Sequence, residues 1–182
     1  MATVAEVKPT IRCFEFKQEK SDKDYGNCTW ARFYLDTEKY TMNIESECGN
    51  FRSSWVPTPD TESFIKLCSR FDSGYLLERF SNGYIIDKRK TYDNVIKLLK
   101  EDYSIHYNKM NDWDFEKIRS ACNNSNLNYV HENLIKTLQM VDCYDLFNCI
   151  KEDYPVGVKR IVEIYINFIE PYLKKLIKKE NK

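Results

Sequence analysis

The feature that most constrains this chain is a single change of period. Up to residue 56 the apolar side chains recur at every second position, and from Thr91 onward they follow helical spacing. Period two half-buries a strand on one face of a sheet, whereas helical spacing buries one stripe of a helix. A chain that makes this change once places a sheet first and helices second, each needing an apolar face covered. The expected fold class is therefore α+β: an N-terminal antiparallel sheet of about four strands with one packed helix, followed by a C-terminal helical bundle.

The strand signals lie at Thr10–Lys17, with Ile11, Cys13 and the pair Phe14/Phe16, and at Cys28–Leu35, with Trp30, Phe33 and Tyr34. After the polar turn Asp36-Thr37-Glu38, Lys39–Glu45 sets Tyr40, Met42 and Ile44 on one face, so a hairpin packed on one side is predicted. Cys48-Gly49-Asn50 breaks the run before a fourth strand at Phe51–Val56. Thr58 suits a helix cap, Pro59 the first helical position, and Asp60 and Glu62 the first turn. Phe64, Ile65, Cys68 and Phe71 then form one apolar face, with Ser73-Gly74 as the stop. Tyr75–Phe80 fits no single pattern, and Tyr84-Ile85-Ile86 reads as a short extended segment.

Further helices are predicted from caps at Thr91, Asp112, Ser125 and Asp142, the first carrying Val95, Ile96, Leu98 and Leu99 inward. After Pro155, the residues Val158, Ile161, Val162, Tyr165, Phe168, Ile169, Tyr172 and Leu176 trace one stripe, with Pro171 expected to kink it. Two modules result, residues 1–90 with the sheet and residues 91–182 with the helices, sharing one core.

Charge excludes some function classes. The 182 residues carry 28 Lys plus Arg and 28 Asp plus Glu, which argues against binding nucleic acid by bulk charge and against an acidic mimic of DNA. The distribution is uneven: residues 91–171 hold 9 basic against 13 acidic groups, and residues 172–182 hold 5 against 1. The basic end, Lys174, Lys175, Lys178 and Lys179, matches what a helix dipole favours in its last turn. Seven cysteines, an odd number without C-x-x-C spacing, read as reduced thiols used as small hydrophobes, and no metal site is expected. No secretion signal and no membrane-length apolar run is visible.

Catalytic patterns fail one after another. His131-Glu132 lacks the second His of a zinc protease helix, and neither Glu78 nor Asp87 begins the acidic-x-Lys ending of a PD…(D/E)xK nuclease. Phosphate-loop, dinucleotide and serine-hydrolase glycine patterns are missing. Glu101, Asp102 and His106, about one helical turn apart, are the best acid–base grouping. A non-enzymatic role without cofactors is the expectation. For nucleic acid the strongest local signal is Lys88-Arg89-Lys90, three bases on a turn with Tyr84 and Tyr92 nearby. For a protein partner it is Trp113 within Asn111-Asp112-Trp113-Asp114, either an exposed anchor or the inward residue of its helix.

The block from Cys48 to Trp55, followed by Thr58-Pro59 and Phe64–Leu77, is similar to a strand-then-helix block of small phage and mobile-element proteins from low-GC bacteria. With its length and Lys-rich end, the chain resembles the type II-A anti-CRISPR family of Cas9 inhibitors. The block covers under a fifth of the chain. The resemblance implies a stoichiometric inhibitor made by a phage or mobile element in the bacterial cytoplasm, which binds Cas9 or its guide-RNA complex and blocks target DNA recognition or cleavage. It implies no catalytic residue, no cofactor and no membrane. Glu101, Asp102, Asp112, Asp114 and Glu116, with Trp113, are then the groups expected to face a basic groove of the partner; as single residues they also fit first-turn and solvent-face roles.

Overall fold

In the computed structural model, which describes residues 10–22, 25–57, 63–124 and 126–180, the alternating segments form a four-stranded antiparallel meander. Its strands are β1 (Ile11–Lys17), β2 (Trp30–Asp36), β3 (Thr41–Ser46) and β4 (Phe51–Ser54), in the order β1-β2-β3-β4. Register sets Phe14 opposite Phe33, Phe33 opposite Ile44 and Ile44 opposite Phe51, so period two carries one apolar row across the sheet. The opposite face is a polar ladder in which Arg32 Nε donates to Glu15 at 2.9 Å and the Tyr34 hydroxyl to Glu45 at 3.0 Å. Ile11 and Cys13 stand on this outer side, away from the core that Phe14 and Phe16 enter.

The expected helix over Phe64–Phe71 forms but ends at Cys68, and a second helix follows over the segment that fits no single pattern. Helix α1 (Phe64–Cys68) is capped by Ser63, and Asp72 caps α2 (Ser73–Phe80), so Ser73-Gly74 opens a helix where a stop was expected. The Asp72 carboxylate accepts the Tyr75 N–H at 2.9 Å, and this cap decides the matter. The cap expected at Thr58, with Pro59, Asp60 and Glu62, lies outside the described residues, as does Ser125.

Beyond residue 82 the elements are β5 (Ile85–Ile86), α3 (Lys88–Glu101), α4 (Ser104–Tyr107), α5 (Asp112–Cys122), α6 (Leu127–Thr137), α7 (Cys143–Cys149) and β6 (Glu152–Asp153). Then follow α8 (Val156–Ile164), a π-helical segment Tyr165–Ile169, and α9 (Glu170–Glu180). Proline at 171 has no N–H to return to the carbonyl four residues back, and the chain meets that requirement by widening the turn before it.

The described chain forms two compact units, one up to Asn82 together with the residues from Pro155 onward, the other Gly83–Tyr154. This corrects the division at residue 90. Helices α1 and α2 span only five and eight residues, too short to close the sheet face by themselves. The long apolar stripe after Pro155 completes the cover: Tyr165 packs on Phe33 at 5.8 Å between ring centres, and its hydroxyl donates to the Cys68 carbonyl at 2.7 Å. A single shared core is corrected too, since each unit holds its own cluster of buried apolar side chains. In the second unit that cluster includes Val95, Leu99, Ile118, Val130, Leu134 and Leu146. Its entry and exit are tied together, Ile85 pairing with Asp153 and Tyr84 packing at a tilt against Tyr154 with ring centres 4.9 Å apart.

Candidate functional site

The residues of interest in the second unit are placed by helix capping. Asp87, not Thr91, starts α3: its carboxylate accepts the Lys90 N–H at 3.0 Å, while Thr91 is buried and accepts the Lys151 N–H at 3.0 Å. Lys88, Arg89 and Lys90 therefore occupy the first helical turn rather than a loop, and their side chains diverge. Lys90 turns back to Asp87 at 3.2 Å. Lys88 and Arg89 instead join Tyr92, Asp93, Arg119 and Asn123 around a concavity of about 470 Å3.

Each wall of that concavity is held from behind. Lys88 Nζ donates to Asn123 Oδ1 at 2.9 Å, and the Arg119 guanidinium lies 5.4 Å from the centre of the Tyr92 ring. Tyr92 is half-buried against the apolar cluster of the unit, which fixes the ring. Arg119 also reaches Glu116, and Arg89 lies 4.0 Å from Asp93. Three cations thus meet one lining carboxylate, in a unit that elsewhere has more acidic than basic residues.

Asn111 rather than Asp112 caps α5. Its side chain accepts the Trp113 and Asp114 N–H groups, and Asp114 accepts the Asn111 N–H in return, a reciprocal capping box. This turns Trp113 outward, 68% exposed, with Lys117 Nζ 5.4 Å from the ring centre. Of the acids expected to face a partner, Asp114 is thus engaged in capping and Glu116 pairs with Arg119. Asp112 is exposed beside Trp113.

Glu101, Asp102 and His106 do not share a helix. Glu101 ends α3 beside Lys97 at 4.0 Å, Asp102 is the residue after it, and His106 lies on α4. All three are exposed, and the acid–base grouping read from their spacing is not formed on one face. The His131 ring packs on Phe147 and meets the Cys143 carbonyl at 2.9 Å. Among the described residues no group of three or more His, Cys, Asp or Glu is arranged to hold a metal ion. No helix there is long and apolar enough to cross a membrane.

A second concavity, about 620 Å3, belongs to the first unit and was not legible in the sequence. It runs along β1 below Phe168 and Tyr172, which are each 55% exposed although they continue the apolar stripe. The π segment shifts the phase of the helix, carrying these rings to the sheet margin, where they contact Phe16 and Phe14. Among the described residues β1 is an edge strand, and Glu15 and Lys17 put charges along it. Of the C-terminal lysines, Lys174 pairs with Glu170, and Lys178 and Lys179 lie in the last turn of α9, as the dipole reading expects.

A protein-family model described as a phage family matches residues 6–179. No curated protein and no solved structure matches the chain.

Proposed function

The chain belongs to this phage family, and from that premise we propose that it is a phage accessory protein acting in the bacterial cytoplasm by stoichiometric binding rather than catalysis. Its partner in this reading is Cas9 or the Cas9–guide RNA complex, as the resemblance to type II-A anti-CRISPR proteins implies, and the consequence is loss of target recognition or cleavage. The observation that supports it is Trp113. A tryptophan left 68% exposed next to a reciprocal capping box, flanked by the exposed Asp112 and by Lys117 over its ring, has the character of an interface anchor. Cas9 holds nucleic acid in basic channels and moves a nuclease domain before cutting, so a binder suffices to stop it.

Titrating the purified protein into target cleavage by several Cas9–guide complexes, with size-exclusion chromatography of each mixture, tests the reading. Cleavage is expected to stop near equimolar protein with co-elution, and Trp113→Ala to weaken binding about tenfold or more. Undiminished cleavage without co-elution across the panel would overturn it.

A second reading, a nucleic-acid-binding accessory or regulatory protein, is favoured by the convergence of Arg119 from α5 with Lys88 and Arg89 from α3. It requires nucleic-acid affinity that falls with salt and with neutralisation of these three residues.

A further inference from the structure

The concavity at the start of α3 is narrower in purpose than general phosphate binding. We propose that it is a site for one nucleotide of a single-stranded nucleic acid, in which Lys88 and Arg89 hold the phosphodiester and the Arg119–Tyr92 pair presents a flat surface to the base. The inference rests on the second reading above and deepens it.

Size is the first argument. A space of about 470 Å3 lies in the range of small-ligand sites and takes a single nucleotide, whereas a duplex needs an extended surface. Chemistry is the second. Lys88, steadied by Asn123, is a compact cation, and Arg89, 92% exposed and only loosely paired with Asp93 through its Nε at 4.0 Å, carries a guanidinium fork that suits two phosphate oxygens. Arg119 differs from both: its guanidinium carbon lies 5.4 Å from the centre of the Tyr92 ring and it pairs with Glu116, so a planar cation and an aromatic ring stand side by side at the site before any ligand arrives. Arginine planes and aromatic faces are the surfaces on which unpaired bases stack, and stacking tolerates any base. Asp93, the one carboxylate in the lining, lies by Arg89 and leaves a net positive site. A base inside a duplex has both faces occupied by its neighbours and cannot use this platform, so single strands are selected.

The test measures fluorescence anisotropy of the full-length protein with a labelled 12-nucleotide single strand and with its duplex, across a salt series. The variants are Arg119→Lys, Arg119→Ala and Lys88→Ala/Arg89→Ala, each checked for unchanged helix content by circular dichroism. Wild type is expected to prefer the single strand. Arg119→Lys keeps the charge but loses the plane, and is expected to lose about tenfold in single-strand affinity with little change in duplex affinity. Lys88→Ala/Arg89→Ala is expected to weaken both and flatten the salt dependence. A mononucleotide should compete better than inorganic phosphate at equal concentration. If wild type binds both forms equally, or Arg119→Lys behaves as wild type, or phosphate competes as well as the nucleotide, the single-nucleotide site is wrong while the second reading stands. If neither nucleic acid binds, both fall together.

Discussion

Gly157 and Gly74 occupy the same position, the second residue, of two helices in the same unit, yet alanine should act on them with opposite sign. Helix propensity favours alanine by at most ~1 kcal/mol at either position. At Gly157 an added Cβ would lie 2.4 Å from the backbone oxygen of Cys48, about 1 Å inside the usual carbon–oxygen separation. That oxygen cannot easily retreat. The turn carrying it is fixed by the Ser46 hydroxyl, which donates to the Gly49 carbonyl at 2.7 Å and accepts the Cys48 N–H at 3.2 Å. The helix is fixed as well, by the Arg160 Nε–H donated to the Asn27 carbonyl at 3.1 Å. Overpacking of this kind costs ~1–3 kcal/mol, so Gly157→Ala should be destabilising by roughly 1–2 kcal/mol after the propensity gain. At Gly74 the Cβ meets only the Asp72 carboxylate oxygen at 3.4 Å, an easily accommodated contact, and alanine should be neutral or stabilising by up to ~1 kcal/mol. Urea unfolding followed by circular dichroism compares the two, with a midpoint lowered by roughly 0.5–1 M for Gly157→Ala at an ordinary slope. If Gly157→Ala is as stable as Gly74→Ala, the close approach of α8 to the β3–β4 turn is refuted.

Tyr165→Phe removes the buried hydroxyl that donates to the Cys68 carbonyl, which still accepts the Phe71 N–H, so a loss of about 1 kcal/mol in a thermal or urea melt is expected rather than collapse. Burial pushes the Cys48 and Cys122 thiols up to about 12 and raises Cys68 as well. Unfolded thiols release their protons first as pH rises, so stability is full below pH 9 and declines between about pH 9 and 12; equal urea midpoints at pH 7.5 and 10 would contradict this. In a native thiol-labelling time course the exposed Cys13 and Cys143 should react first, with Cys68 and Cys122 following only on unfolding. Asp87→Ala removes the α3 cap and the Lys90 pairing, and should cost about 1 kcal/mol with fraying of the turn that carries Lys88 and Arg89, seen as faster amide exchange there.

The sheet was readable because alternation acts locally: Met42 and Ile44 declare their face whatever lies elsewhere in the chain. Helix existence was likewise readable from periodicity, but helix starts were displaced where two capping residues competed. Asp87 prevailed over Thr91 and Asn111 over Asp112, in each case because the side chain accepting the N–H two or three residues on sets the boundary. Assignment of the last helices to the sheet was hidden, since an apolar stripe shows that a face is buried without showing against what. Of the candidate site, Lys88 and Arg89 were visible as a run and Tyr92 as a neighbour. Arg119 was not, because it arrives from another helix, and only tertiary packing places it on Tyr92. Trp113 was identified with its orientation open, and the Asn111–Asp114 capping box resolves it.

The first unit begins with a sheet and ends with helices that the ribosome makes only after the whole second unit. At ordinary elongation speeds of ~5–20 residues per second, the roughly 70 residues of Gly83–Tyr154 take on the order of 4–15 s to emerge. Throughout that interval the row Phe33, Leu35 and Ile44 lacks Tyr165 and Ile161, while the intervening unit, closed on itself by its paired ends, can already fold. Translation order therefore makes the nascent sheet a client for chaperones, and a ribosome stalled before Pro155 would release a finished helical unit attached to an unfinished, aggregation-prone one.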